Sequence, residues 1–506
     1  MSEKLVLLFN PNPRGYEGEE DQYCIPPMSL LAISAPLLAN GYTVKLVDQT
    51  VDKNYKNKIL EYVDKALCLG ITSMTGHQIN GGLEIAKLVR NKNKKLPIVW
   101  GGYHPSIFPE ETIKSEFVDY VVRGQGEETF LELLEYFNKI KNLESVFGLT
   151  YKINGKIYNN PDRGQKNIND FPHINYSLID INKYITKALG ERTFGIRTSQ
   201  GCPHRCGFCA EVNVTQRRWS GYSADRVLNE MKYLVENYNI DCFMIYDPNF
   251  FVDKKRVKDI LRGIIENNWN IKLGNINGRT EQLLKLDDEI WQLLKKAGCN
   301  DILIGAEAGS DHMLTYITKD TDVENTVDIK KLFHKYDIQP FVSLILGFPR
   351  SKDMKKSIKE EFNDLMNLID RINKIDYKNH IRIWLYMPYA GTSLYENAIT
   401  CTNLKMPNNL EDWSLCNLTE INVPWIPKRY KLIVNQLNNF IFPYTAEQFS
   451  HNWKNKKLGI KNRIKVAGHK FFHKTALFRL KNRFFYFPIE YKMLSFVKRK
   501  KYAQKF

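Results

Sequence analysis

Cys202-Pro203-His204-Arg205-Cys206-Gly207-Phe208-Cys209 sets three thiols at CxxxCxxC spacing on one short loop. Three thiolates held so close together suit one metal centre, with Cys202, Cys206 and Cys209 as its ligands. A cubic iron–sulfur cluster takes four ligands, so three cysteines leave one iron open to bind another molecule. An open iron points to chemistry at the cluster rather than to electron storage. Two plainer readings compete. Cysteine is a small core residue, yet three within one Gly- and Pro-containing loop are hard to assign to packing. A structural zinc site closes with four ligands, commonly from two spaced pairs, and His204 lies inside the loop where it does not easily become the fourth.

The elements that must carry this loop show as alternation. From about residue 194 to 400, β-rich runs at 242–246, 301–304, 340–346 and 381–385 alternate with amphipathic stretches at 224–238, 283–297 and 355–372. That pattern predicts a parallel α/β barrel or partial barrel. Working groups in such folds sit at the carboxyl ends of strands, where Asp247, Arg279, Glu307 and Gly347 fall.

CxxxCxxC with an aromatic residue, Phe208, before the last cysteine resembles the loop of the radical S-adenosylmethionine (SAM) superfamily. The resemblance implies a [4Fe-4S] cluster whose open iron takes the amino and carboxylate groups of SAM, and reductive cleavage of SAM to a 5′-deoxyadenosyl radical. Ile245 to Phe250 looks like the end of the second barrel strand, with Asp247 near the SAM amino group. Arg279, in Asn277-Gly278-Arg279-Thr280, matches the Arg that meets the SAM carboxylate, and Glu307, within 302–310, the Glu that reaches the ribose or methionine moiety. Segments 343–349, with Gly347, and 386–392 look like the next two strand ends. Each segment alone reads equally well as a strand-to-helix turn; their order after the cysteines carries the resemblance. The implied SAM set is Phe208, Asp247, Arg279, Glu307 and Gly347. No residue is assigned as a catalytic hydrogen donor.

Residues 1–150 repeat the alternation on a smaller scale, with apolar runs at 4–9, 44–47, 66–71, 97–100 and 120–122. Five such strands with helices between them predict a doubly wound, Rossmann-like sheet that binds ligands at its carboxyl-end loops. Loop for loop, Asn10 to Pro13, Thr72 to Gly76, Gly101-Gly102-Tyr103-His104-Pro105 and Gly124-Gln125-Gly126-Glu127-Glu128 resemble the cobalamin-binding domain that precedes the barrel in one radical SAM group. The implied cobalamin contacts are Asn10, Thr72, Ser73, Gly101, Gly102, His104, Gly124, Gly126 and Glu127. A generic nucleotide-binding sheet is the alternative, but no GxGxxG or Walker loop supports it. Many cobalamin domains carry Asp-x-His-x-x-Gly, and residues 10–20 do not. The lower face of the cofactor is therefore expected to lack a protein histidine, and His104 is read as a loop-shaping or cofactor-edge residue.

At 506 residues the chain suits two domains plus extensions. The expected division is a cobalamin domain over 1–150, a hairpin and linker over 151–193, a radical SAM barrel over 194–400 and a mostly helical extension over 401–506. Residues 400–450, with Trp413 and Pro424-Trp425, are expected to form a lid over the barrel mouth. Nine cysteines with three in one motif, and no signal peptide or apolar stretch long enough to span a bilayer, predict a reducing cytoplasm. Cys24, Cys68, Cys242, Cys299, Cys401 and Cys416 read as core or surface residues. Net charge is +17, and residues 451–506 hold 17 Lys or Arg against one acid, Glu490. Within that tail Leu477, Leu480, Phe484 and Phe487 are expected to share a helical face, as in segments lying on anionic membranes. Phosphate contact and base stacking would use the same residue types, and a basic helix folded back on the body is the plain alternative.

The resulting functional expectation is a cobalamin-dependent radical SAM enzyme that methylates an unactivated carbon of a small-molecule or lipid-like substrate, with an electron donor such as flavodoxin or ferredoxin. The runner-up keeps both cofactors and uses the substrate radical for cyclisation or rearrangement. A protein that binds or modifies RNA through the basic tail is the reading of another class. Methylthiotransferases of transfer RNA carry three cysteines for a second cluster in their first domain; here that domain holds only Cys24 and Cys68.

Overall fold

A computed structural model describes residues 4–13, 24–389, 391–402, 404, 407–415, 423–446 and 460–494. The first sheet contains β1 (Leu5–Asn10), β2 (Thr43–Asp48), β3 (Ala66–Thr72), β4 (Ile98–Gly101), β5 (Tyr120–Val122), β6 (Leu149–Ile153) and β7 (Lys156–Asn159), ordered β2-β1-β3-β4-β5-β6-β7. All six residues of β1 are buried, as expected of a strand inside a parallel sheet with helices on both faces. β1 pairs in parallel with both β2 and β3, so the order in which strands are added to the sheet reverses between β1 and β3. Loops after these two strands therefore flank the crevice where such sheets bind ligands.

The hairpin expected from residue 151 is β6 and β7; it starts at Leu149 and belongs to the first sheet. β6 pairs antiparallel with β5, and β7 with β6, so residues 149–159 extend the first sheet. Asn154 and Gly155 both have positive φ, 50° and 77°, as a two-residue hairpin turn requires. The physical reason is the edge: β5 is only three residues long, and the hairpin covers its otherwise unpaired side.

The second unit comprises β8 (Thr193–Ile196), β9 (Ser199–Gly201), β10 (Trp219–Gly221), β11 (Cys242–Ile245), β12 (Lys272–Gly274), β13 (Ile276–Gly278), β14 (Asp301–Glu307), β15 (Gln339–Leu346) and β16 (His380–Leu385). β8, β11 and β12 form one parallel group, and β13 to β16 another. Asn275, at φ 54°, separates β12 from β13. Among the described residues β16 pairs only with β15, so the barrel is open at that edge. Helices on its outside begin on short polar caps: Ser223, Asp253, Asp287, Asp322 and Asp353 each accept a backbone N–H of the first turn. Cys242 is buried, Cys299 and Cys24 pack in the barrel's apolar cluster, and Cys68 packs in that of the first sheet.

The segment after residue 400 is divided between the two units. Trp413 packs against Phe108, with ring centroids 4.8 Å apart, and donates to Glu111. Trp425 and Ile426 instead cover the end of β15: Trp425 Nε1 donates to the Gly347 carbonyl at 2.9 Å. Residues 428–445 pack on β16, where Asn438 bonds both the N–H and the carbonyl of Ile383. Cys416 lies outside the described residues.

The tail corrects one expectation. Helix Ile460–Lys481 ends before Phe484, and Arg483 and Phe487 take positive φ. Arg479 causes the reversal by donating to the carbonyls of Phe484, Tyr486 and Phe487 while pairing with Glu490. Leu480 is consequently buried with Ala476 and Phe485, whereas Phe487 is 77% exposed. The four residues expected on one helical face do not share one.

Candidate active site

The cysteine loop is fixed at both ends before any ligand is considered. Gly201, which ends β9, has φ 83°, and a Cβ there would lie 2.0 Å from the carbonyl oxygen of Arg218, just before the paired strand β10. Only glycine fits that approach. The Gly207 N–H donates to the Ile317 carbonyl at 2.8 Å, and its own carbonyl accepts from the Leu394 N–H at 3.1 Å. The Cys209 N–H donates to the Cys206 carbonyl at 3.1 Å, turning the thiols to one side.

Asp247 lies two residues after β11, beside the strand that leads into the cysteine loop. It is fully buried, and its carboxylate accepts from the Thr198 N–H at 2.6 Å and from the hydroxyls of Thr198 and Ser199 at 2.6 and 2.7 Å. With these donors the group anchors the strand leading into the cysteine loop. Arg256 completes the anchor by donating to the carbonyl and hydroxyl of Thr198.

Burial raises the Cys202 thiol and pushes that of Cys209 up to about 12. Thiolates here need positive charge nearby. Arg279 supplies some: its guanidinium donates to Cys206 Sγ at 2.8 Å, and it also contacts Glu281 and the Lys319 carbonyl. Among the described residues no three His, Cys, Asp or Glu side chains converge on a point that a single metal ion would fill. A zinc ion needs all its donors about 2.0–2.3 Å from one centre. Cysteines that each bind a different iron of a cubic cluster need not converge so closely.

Next to Arg279 lies a second charged group. Glu307 is buried at the end of β14 with φ 60°, and Lys319 Nζ sits 3.3 Å from its Oε1. Burial raises the Glu307 carboxyl and Lys319 opposes that rise. Lys319 Nζ also stands 6.0 Å from the ring centre of Phe208, and Phe208 packs against Phe348. Gly347 has φ 102°, and a Cβ there would come within 2.3 Å of Ile426. Arg279, Glu307 and Phe348 thus stand beside the cysteine loop and its Phe208, joined by a lysine not recognised in the sequence, while Gly347 contacts Ile426, Trp425 and Glu361. Its signal was faint: a lysine three residues after the helix Asp311–Tyr316, with no motif around it.

Opposite this loop, the carboxyl-end loops of the first sheet supply the remaining expected residues. Gly102, at φ 99°, allows the β4 loop to approach the β3 loop; a Cβ there would meet the Ser73 carbonyl oxygen at 2.8 Å and Thr72 Oγ1 at 2.9 Å. The His104 N–H donates to the Ser73 carbonyl at 3.1 Å. His104 is fully buried beside Phe108 and Trp413, which drives its imidazole down to about 3, and its Nδ1 lies 3.0 Å from Thr75 Oγ1. Ser73 Oγ and His104 Nε2 are buried without a partner, which fits loops built to meet a polar cofactor. Gly124 donates its N–H to Ser106 Oγ at 2.9 Å and has open space where a side chain would be. Gly126 and Glu127 open the helix Gly126–Phe137, with Glu127 buried. Asn10 stands apart at the end of β1, where its Oδ1 accepts from Gln78 at 3.5 Å. The absent lower-ligand motif concerns 10–20, most of which lies outside the described residues.

Between the two sets of loops lies a cavity of about 670 Å³. Met74, Thr75, Tyr103 and Ile107 bound it on the side of the first sheet, and Phe208 to Glu211 on the side of the cysteines. Arg382, Trp384, Tyr386 and Tyr389 close the open barrel edge. Tyr103 donates across the interface to Glu211 Oε2. Burial and this carboxylate hold the phenol well above its ordinary range. Neither residue was recognisable in sequence, because the contact spans 108 positions.

Comparison with known proteins decides the family. The B12 binding domain matches residues 18–134, and the radical SAM superfamily residues 196–381. An uncharacterised methyltransferase of Pyrococcus horikoshii is 31% identical over 76% of this chain and 80% of its own length. The chain belongs to the cobalamin-binding radical SAM enzymes. Membership brings a [4Fe-4S] cluster, SAM and cobalamin as its cofactors. Another relative of this radical SAM enzyme is the anaerobic magnesium-protoporphyrin IX monomethyl ester cyclase of Synechocystis sp., 24% identical over 70% of the chain and 72% of its own length. Among solved structures, the cobalamin-dependent radical enzyme OxsB with aqua-cobalamin bound shares the fold at TM-score 0.69, covering 94% of this chain and 72% of that one at 19% identity.

Proposed function

We propose that this radical SAM enzyme transfers a methyl group to an unactivated carbon of a small molecule held in the cavity between the two sets of loops. One observation carries the reading: the same cavity is lined by the loop after β4 and by the cysteine loop. When bound there, the cluster, SAM and cobalamin supply hydrogen abstraction from carbon and a methyl group, chemistry no side-chain base offers. Cys202, Cys206 and Cys209 hold the cluster. Arg279 and Lys319 offer positive charge for the SAM carboxylate, Glu307 offers an acceptor, and Phe208 gives an apolar wall. Thr72, Ser73, Gly101, Gly102 and Gly124 cradle cobalamin, with His104 shaping the loop from behind. Tyr386, Tyr389 and Leu385 line the substrate space and exclude water, protecting a reactive radical. A one-electron donor of the flavodoxin or ferredoxin class completes the reaction.

The cyclase relative supports a second reading, in which the substrate radical closes a ring and no methyl group moves. Anaerobic reconstitution with iron, sulfide and hydroxocobalamin, followed by turnover, separates the two. Methyl transfer yields S-adenosylhomocysteine alongside 5′-deoxyadenosine; cyclisation yields 5′-deoxyadenosine alone. Loss of the cluster's paramagnetic signal is expected on changing Cys202, Cys206 and Cys209 to Ala. Failure to take up a corrinoid would defeat both readings.

A further inference from the structure

The basic tail is two-sided. On helix Ile460–Lys481, Phe472, Ala476 and Leu480 turn toward residues 437–445, with Phe472 against Phe440 and Tyr444. Phe471 and Phe478, seven positions apart and so on one face, point the other way and are 56% and 60% exposed. The turn that Arg479 folds back adds Phe487, Ile489 and Met493, each more than half exposed. Large side chains left in water this close together mark a contact surface.

Charge selects the partner. Lys470, Lys474, Lys481 and Lys492 are exposed around these side chains and make no ion pair among the described residues. The acid of this segment, Glu490, is turned inward onto Arg479, and Arg483 is held by Asp370. The outward surface therefore presents aromatic rings interleaved with uncompensated lysines, the composition that inserts rings at a headgroup boundary and attracts anionic lipid. No helix among the described residues is long and apolar enough to cross a membrane; the geometry suits lying on one. We infer that helix Ile460–Lys481 and the turn after it dock this protein on an anionic lipid surface. The segment under that helix, 428–445, also lines the cavity through Val434, Asn435 and Asn438, so the docked face lies one layer from the substrate space.

The test is co-sedimentation of the full chain with phosphatidylcholine vesicles, with or without phosphatidylglycerol. Binding is expected only with the anionic lipid and should weaken with salt. Phe471→Ser with Phe478→Ser should lower the partition coefficient about tenfold or more, and Lys474→Gln or Lys481→Gln about fivefold each. An unchanged thermal midpoint is expected, since all four side chains are exposed. Equal binding by wild type and the double Phe variant would overturn the proposal. So would a Phe471-dependent dimer in sedimentation velocity, or binding of single-stranded RNA without binding of vesicles.

Discussion

The residues that decide this site are those whose bonding is already filled and those whose bonding is not. Asp247 already holds three bonds to the strand before the cysteine loop, a structural duty that its position in the sequence did not show. Asp247→Asn keeps an acceptor for the Thr198 N–H but sets an NH2 donor against the Thr198 and Ser199 hydroxyls, losing charge-assisted bonds at a cost of about 1–3 kcal/mol. A lower thermal midpoint and reduced iron content are expected, while SAM affinity of the loaded fraction stays near wild type. Lys319 is the opposite case, since a buried ammonium beside Glu307 keeps charge available next to the cysteines. Removing one partner of a buried pair is strongly destabilising, so Lys319→Met should lose about 3–5 kcal/mol, and Lys319→Met with Glu307→Gln less. SAM titration of the reconstituted double variant should show weakened binding with the cluster spectrum unchanged.

At the scale of elements, the end of β15 shows how a strand terminus is held for function. The Gly347 N–H donates to Glu361 Oε1 at 2.8 Å, from the helix Met354–Asn373 behind it. Burial pushes the Glu361 carboxyl up to about 8. A carboxyl raised above its unfolded value stabilises the fold below that unfolded value, near pH 4.5, and loses the contribution as pH rises through about 8. Glu361→Gln keeps the neutral acceptor at every pH. Thermal melts of the two proteins should therefore be close near pH 5 and diverge toward about pH 8, with the variant more stable. The strands and helices themselves were readable, because apolar runs, amphipathic stretches and Asp or Ser caps are local signals. The hairpin 149–159 was readable as a hairpin but not as part of the first sheet, since edge pairing depends on which strand needs covering.

Across the whole molecule, Trp413 ties the C-terminal segment to the first unit while Trp425 ties it to the second. Trp413→Ala should cost about 3–5 kcal/mol and raise amide exchange in 407–415 and 103–108 without changing that of the barrel strands; uniform exchange would show that Trp413 does not join them. The expected lid is thus a strap that reaches both units, and its course could not be read from composition. The sequence by itself determined the cysteine loop, the two alternating α/β units, the family they resemble and the charge of the tail. Each of these is written in residue type and short-range spacing, where one bond pattern or one periodicity suffices. Tertiary structure alone decided that Asp247 faces a strand, that Lys319 joins Glu307, that Tyr103 meets Glu211, and which tail rings remain in water. Those outcomes depend on partners tens to hundreds of positions away, and on which buried polar groups find one.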